Sequence, residues 1–128
     1  MRQAALLTAL LSGAACAASS PDIIQVGPWF SARSPAEVQV FSSRDQISKP
    51  WGAIAVIHGT RFPAGADAPL ERQRKMARKM AAGIGADGVV MVEETVRDGS
   101  TPDGSPRSET YISALAVKYV TDLSTAVK

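Results

Sequence analysis

Cysteine is nearly missing from this sequence. Cys16 is the only one in 128 residues, and His58 is the only histidine. No internal disulfide can form, and a Cys/His zinc site would lack ligands. The chain also lacks a Walker-type phosphate loop, an H-E-x-x-H helix, an EF-hand loop and a G-x-S-x-G nucleophile turn. A strong charge bias is missing too. The net charge is +2 and the pI near 8.9, a mild basic excess and not the balance of a typical nucleic-acid binder. Hydrophobic residues make up 45% of the chain, but alanine and the first eighteen residues supply much of that total. A core must therefore come from a few short elements, and the length allows one domain.

What is present begins at the N-terminus. "MRQAALLTALLSGAACAASS" opens on Arg2, runs apolar from Ala4 to Leu11 with only Thr8 interrupting, and turns to small residues from Ser12 to Ala18. That is the layout of a secretory signal over residues 1–18, too short to cross a bilayer as a helix. Within it, "LLSGAAC" resembles a bacterial lipobox. Ala14 and Ala15 suit the two positions before the cysteine, while Gly13 stands where leucine is preferred. Cleavage there makes Cys16 the mature N-terminus and the lipid attachment point. The alternative is an A-x-A-like cut at Ala15-Cys16-Ala17, which leaves an unpaired thiol at an exposed end in an oxidising compartment. Lipidation accounts for the only cysteine and its position together. With Ala17 rather than aspartate next in line, the lipobox resemblance implies sorting to the outer membrane, facing the periplasm. Without lipidation the product is periplasmic or secreted. Acyl chains anchor by roughly 0.8 kcal/mol per buried methylene. Loss of Arg2 leaves the mature chain close to neutral.

Residues 19–36, rich in Ser, Pro and Gly, read as a tether able to lay Ile23, Ile24, Trp29 or Phe30 on a domain spanning 37–120. Alternation marks a strand over Glu37–Phe41 and another over Gly52–His58, the second with Ile54, Val56 and His58 on one face. A loop spans 59–67. Asp67 is a plausible N-cap for a helix whose apolar arc, at about 100° per residue, holds Leu70, Gln73, Ala77, Met80, Ala81 and Ile84. Val89–Asp98 and Glu109–Val120 read as two antiparallel strands around a loop at 98–108, and 121–128 as a tail. The small residues Ala77, Ala81, Ala114 and Ala116 let the helix lie close to the sheet. The expected fold is α+β: a single β-β-α-β-β domain with one amphipathic helix on a mainly antiparallel sheet.

Gly83-Ile84-Gly85-Ala86-Asp87-Gly88 matches G-x-G-x-x-G literally. A dinucleotide fingerprint needs a strand before the glycines and a helix after them, so that phosphate meets free N–H groups. Here a helix enters and a strand leaves, which puts orphan carbonyls where phosphate would sit. The motif reads as a helix stop: Gly85 left-handed, then a tight turn in which Asp87 bonds nearby backbone N–H groups.

Catalytic, cofactor and metal sites are therefore expected to be absent. The competing reading is a small metal-binding protein or enzyme that uses His58 with a carboxylate such as Glu93 or Glu94 brought near by folding. Glu93 and Glu94 are neighbours on a strand, face opposite sides and cannot pair. The strongest charge feature is the helix stretch "ERQRKMARKM", whose Arg72, Lys75 and Lys79 form a candidate surface for an anionic envelope partner or a protein. The plainer alternative is a solvated helix face. Nucleic acid is not expected for an exported chain.

Three stretches carry a family resemblance: "EVQVFSSRDQISKPWGAIAVIHG", "RKMARKMAAGIGADGVVMVEE" and "ALAVKY". Together, over about Glu37 to Val120, they resemble small bacterial envelope lipoproteins that include the Rcs stress-sensor lipoprotein, and also the YbjQ-like domain group. The resemblance implies a lipid-anchored α/β domain used for contacts rather than catalysis. The sensor lipoprotein carries disulfides in its domain, whereas this chain has no cysteine after Cys16. That departure speaks against redox sensing.

Overall fold

One helix lies against a six-stranded sheet in this computed structural model, which describes residues 21–100, 104 and 106–121. Residues 1–20, with the expected signal and Cys16, lie outside the described residues, as does the tail from 122. In chain order the elements are β1 (Asp22–Gln25), β2 (Gln39–Phe41), β3 (Trp51–His58), β4 (Phe62–Pro63), α1 (Asp67–Gly83), β5 (Gly88–Ser100) and β6 (Pro106–Tyr119). The sheet order is β1-β3-β6-β5-β2, and β4 pairs with β6 beyond the end of β3. Every pairing is antiparallel except β2 with β5. The α+β domain expected from the sequence is present as β2, β3, α1, β5 and β6.

Two strands are additional. β1 lies inside the stretch read as a tether, and sets Ile23 opposite Ile57 and Ile24 opposite Val56. β4 has two residues, too few for any alternation to reveal it. The strand expected from Glu37 begins at Gln39, because Pro35–Glu37 forms a 3-10 turn. Arg78 of α1 holds that turn by donating to the carbonyls of Ala36 and Val38. The loop expected at 98–108 is shorter, since the hairpin ladder continues through Arg97–Ser108 and Ser100–Pro106.

Alternation along β6 sets the core. Ile112, Ala114, Ala116 and Lys118 are buried toward the helix, while Tyr111, Ser113, Leu115 and Tyr119 are half-exposed on the opposite face. From α1, Ala77, Ala81 and Ala82 meet that row. Alanines on both sides let backbones approach, so large side chains fill the flanks. Ile54, Ile57 and Ile112 are essentially fully buried, each contributing roughly 1.5–3 kcal/mol.

The face expected for Ile54 is corrected. β3 carries a bulge between Ala53 and Ala55, opposite Val117 and Ala116. The extra residue breaks the alternation and turns Ile54 into the core, away from Val56 and His58. Its displaced carbonyl accepts from Val26 N, Gly27 N and Trp29 Nε1 at 3.1–3.2 Å.

Candidate functional site

The glycine-rich turn ends α1 as a helix stop. Gly85 has φ +76°, and a Cβ there would lie 2.6 Å from Ser31 O and from Phe30 Cβ. Ala86 N bonds Ala81 O at 3.0 Å and Gly85 N bonds Ala82 O at 3.1 Å, the 6→1 and 5→2 pair of a Schellman motif. Other donors reach this end of the helix as well, and Ala82 O accepts a second bond. Phe30 N reaches Ile84 O and Arg33 N reaches Ala82 O, both at 2.9 Å. Lys118 Nζ donates to Gly85 O at 3.0 Å. A cation and N–H groups at a helix C-terminus are what the dipole favours there, and a phosphate would meet the wrong charge.

Asp87 is the centre of this end of the molecule. Its buried carboxylate accepts Tyr119 N–H at 2.8 Å, lies 3.2 Å from Lys118 Nζ and is ion-paired to Arg33. Arg33 also reaches Glu37 at 3.2 Å. The Lys118 ammonium sits 4.7 Å from the Phe30 ring centroid, a cation–π contact. The backbone N–H that Asp87 accepts belongs to Tyr119 of β6 and not to its own turn as expected, and its two cationic partners are likewise distant along the chain. The sequence did hold a signal, because Lys118 falls on the same face of β6 as Ile112, Ala114 and Ala116. The network ties β6, the αβ turn and the strap 28–33 together, and its polar atoms face one another. The Tyr119 phenol lies next to it, bonded to Gln39. Its pKa is raised by burial and, secondarily, by the Asp87 carboxylate.

The basic surface divides into two sets. Arg72, Lys75 and Lys79 are exposed and make no hydrogen bond or ion pair with any described residue. Arg78, on the same helix, is committed to the turn before β2. Arg74 is half-buried beside Val40 and Met91. Arg74 likewise makes no hydrogen bond or ion pair with a described residue, so Arg72, Lys75 and Lys79 are the exposed members of the unpaired set on α1.

Beside them lies a partly open cleft of about 390 Å³ between the N-terminal half of α1 and the β3–β4 region. Ile57, Phe62, Pro69, Met76, Ala77 and Ile112 line it, with Thr60 and Gln73 as the polar wall and exposed Arg72 on the rim. Gln73 was placed on the helix's inward arc, but its role was not foreseen. Its Oε1 accepts Ile112 N–H at 3.0 Å, and its Nε2 donates to the Thr60 carbonyl and hydroxyl. The amide fills a gap where β3 has ended and β4 has not begun. Gly59 must be glycine for this, since a Cβ would meet Gln73 Oε1 at 2.2 Å.

His58 is exposed at the end of β3, edge-on to Tyr111 with ring centroids 6.2 Å apart. The acid set opposite it by the sheet register is Asp22 of β1. Glu93 and Glu94 pair with Ile112 and Tyr111, one strand further away. No described His58–carboxylate contact falls within ion-pair distance, and no group of three His, Cys, Asp or Glu capable of holding a metal occurs among the described residues. No helix among them is long and apolar enough to cross a membrane.

Neither a family model nor a curated protein sequence matches the chain. Among solved structures, the crystal structure of a Francisella virulence factor, FvfA, in the orthorhombic form is similar over 76% of this chain and 97% of its own. The two share 17% identity with a TM-score of 0.46, a likeness too slight to carry an argument about this chain.

Proposed function

We propose that this chain is exported, anchored by lipid at Cys16, and serves as a non-catalytic interaction module in the cell envelope. Its contact surface is the outer face of α1, where Arg72, Lys75 and Lys79 hold an anionic partner. The observation that supports this is the contrast among cations: Arg33, Arg78 and Lys118 are bonded within the fold, whereas these three stand exposed together. Near an anionic surface each basic residue contributes about 1 kcal/mol, so the set supplies roughly 3 kcal/mol, over a hundredfold in affinity. Anchoring adds to this by confining the domain near the surface where such partners lie. The resemblance to small envelope lipoproteins points the same way.

Two measurements test it. Cys16→Ser is expected to move the protein from the membrane fraction to a soluble periplasmic one. An unchanged distribution refutes the anchor. Crosslinking in intact envelopes, with wild type and an Arg72→Glu/Lys75→Glu/Lys79→Glu variant, is expected to show a partner lost in the variant. Identical crosslinks from both refute the surface.

A further inference from the structure

The cleft beside α1 combines an apolar wall with one uncommitted cation, and that pairing selects a ligand class. We infer that it binds a single-chain anionic amphiphile, with the alkyl chain in the cleft and the anionic head on Arg72. The volume, about 390 Å³, lies in the range of ligand pockets, roughly 300–1,000 Å³. The wall is made of Ile57, Phe62, Met76 and Ile112 with small or ring-shaped neighbours, so most of what enters must be apolar. The Gln73 amide and the Thr60 carbonyl in the wall are already paired with each other and with β6. Gln73 uses its amide on Thr60 and on Ile112 N–H, which leaves it no role in orienting a polar ligand by its carbonyl. A neutral polar molecule would therefore recover little of its hydration there.

Arg72 breaks that pattern. It is exposed on the rim and has no ion pair or hydrogen bond among the described residues. A guanidinium beside an apolar cleft complements a carboxylate or phosphate on an alkyl chain, through paired charge-assisted hydrogen bonds. Met76 is 45% exposed although it is a large apolar residue. Its flexible thioether chain suits a wall that adapts to an alkyl chain. The inference goes beyond the anionic-partner surface proposed above, because Lys75 and Lys79 do not line the cleft. The two ideas share Arg72 and are otherwise separable.

The test uses the full chain carrying Cys16→Ser, so that no attached acyl chain competes, with methyl-labelled methionine observed by NMR. The probes are laurate, dodecanol and dodecyltrimethylammonium, each kept below its micellar concentration. The expected result is a saturable shift of the Met76 methyl with laurate, while the Met91 methyl, which does not line the cleft, stays in place. Arg72→Glu is expected to weaken laurate at least tenfold and to leave dodecanol within twofold. Lys75→Glu/Lys79→Glu is expected to leave laurate within twofold, whatever becomes of the envelope partner. Met76→Asp, at an exposed position, removes the reporter methyl, so binding to it is followed by isothermal titration calorimetry; it is expected to bind neither laurate nor dodecanol, with the remaining methionine methyls unchanged. Any of these results would overturn the proposal: no saturable Met76 shift with laurate, equal weakening of laurate and dodecanol by Arg72→Glu, or tighter binding of the cationic probe than of laurate. Loss of laurate binding in the Lys75/Lys79 variant would also overturn it, because attraction would then be diffuse over the helix face.

Discussion

Replacing Asp87 with asparagine keeps the shape of the side chain and removes its charge. The perturbation is informative because of what it strands. The Lys118 side chain is 9% exposed and that of Asp87 6%, so the ammonium loses its counter-charge where water cannot replace it. Breaking a buried pair by removing one partner costs about 3–5 kcal/mol. Lys118 keeps its bond to Gly85 O and its place over the Phe30 ring, which puts Asp87→Asn near the lower end, at about 3 kcal/mol. Arg33 adds little, since its side chain is 31% exposed and can rehydrate. The amide oxygen of asparagine can still accept Tyr119 N–H. Lys118→Met leaves no stranded charge, because Arg33 remains with Asp87. It costs about 1–3 kcal/mol for the lost donor to Gly85 O. In the double variant neither charge is left buried alone, so its cost falls below the sum of the single costs by at least about 1.5 kcal/mol. Urea unfolding followed by tryptophan fluorescence measures this. With a slope of about 1–3 kcal/mol per molar, Asp87→Asn lowers the midpoint by roughly 1–3 M. A loss under about 1 kcal/mol, or additivity within about 0.5 kcal/mol, would show that the network is not the buried, coupled unit described here.

Gly85→Ala is expected to cost more than about 2 kcal/mol, from the left-handed backbone and the displacement of Phe30 and Ser31. Gly52→Ala, whose added Cβ meets nothing within 4 Å, is expected to stay within about 0.5 kcal/mol. Equal midpoints for the two in thermal or urea unfolding would remove the strap from the account. Gln73→Leu, similar in volume, is expected to cost about 2 kcal/mol by leaving Ile112 N–H unpaired. Hydrogen exchange at the Ile112 amide should accelerate with it, and unchanged protection there would contradict the bridging role.

What could be read in advance follows from the range over which each signal acts. The helix, its inward arc and the stop at Gly85 depend on residues within a few positions of one another, and local periodicity and turn chemistry expose them. The β5–β6 hairpin was legible for the same reason, since both strands alternate and a turn-rich stretch joins them. β1 was not, because Asp22–Gln25 become a strand only through pairing with β3, thirty residues later. The bulge at Ile54 was hidden likewise. An extra residue leaves no local mark, and its compensation lies in Val26, Gly27 and Trp29. At the site, the exposed set Arg72, Lys75 and Lys79 was visible as a pattern. The cleft was not, because Ile57, Phe62 and Ile112 come from three separate strands.

Charge counting shows why such a site needs the fold to be defined. Five cations on α1 look equivalent along the chain, yet Arg78 and Lys79 are neighbours with opposite fates. One residue step along a helix places them about 100° apart, which sends Arg78 toward the carbonyls of Ala36 and Val38 and leaves Lys79 in solvent. The planar guanidinium of Arg78 reaches Val38 O with two nitrogens at once, a geometry that an ammonium cannot reproduce. Lys118 shows the converse. A point charge on a flexible stem can slip under a ring and reach both a carbonyl and a carboxylate, as it does with Phe30, Gly85 and Asp87. The near-neutral total charge therefore conceals two populations. The cations that hold the helix and its turns in place are internally compensated, and the field outside α1 arises from the residues that the fold does not use.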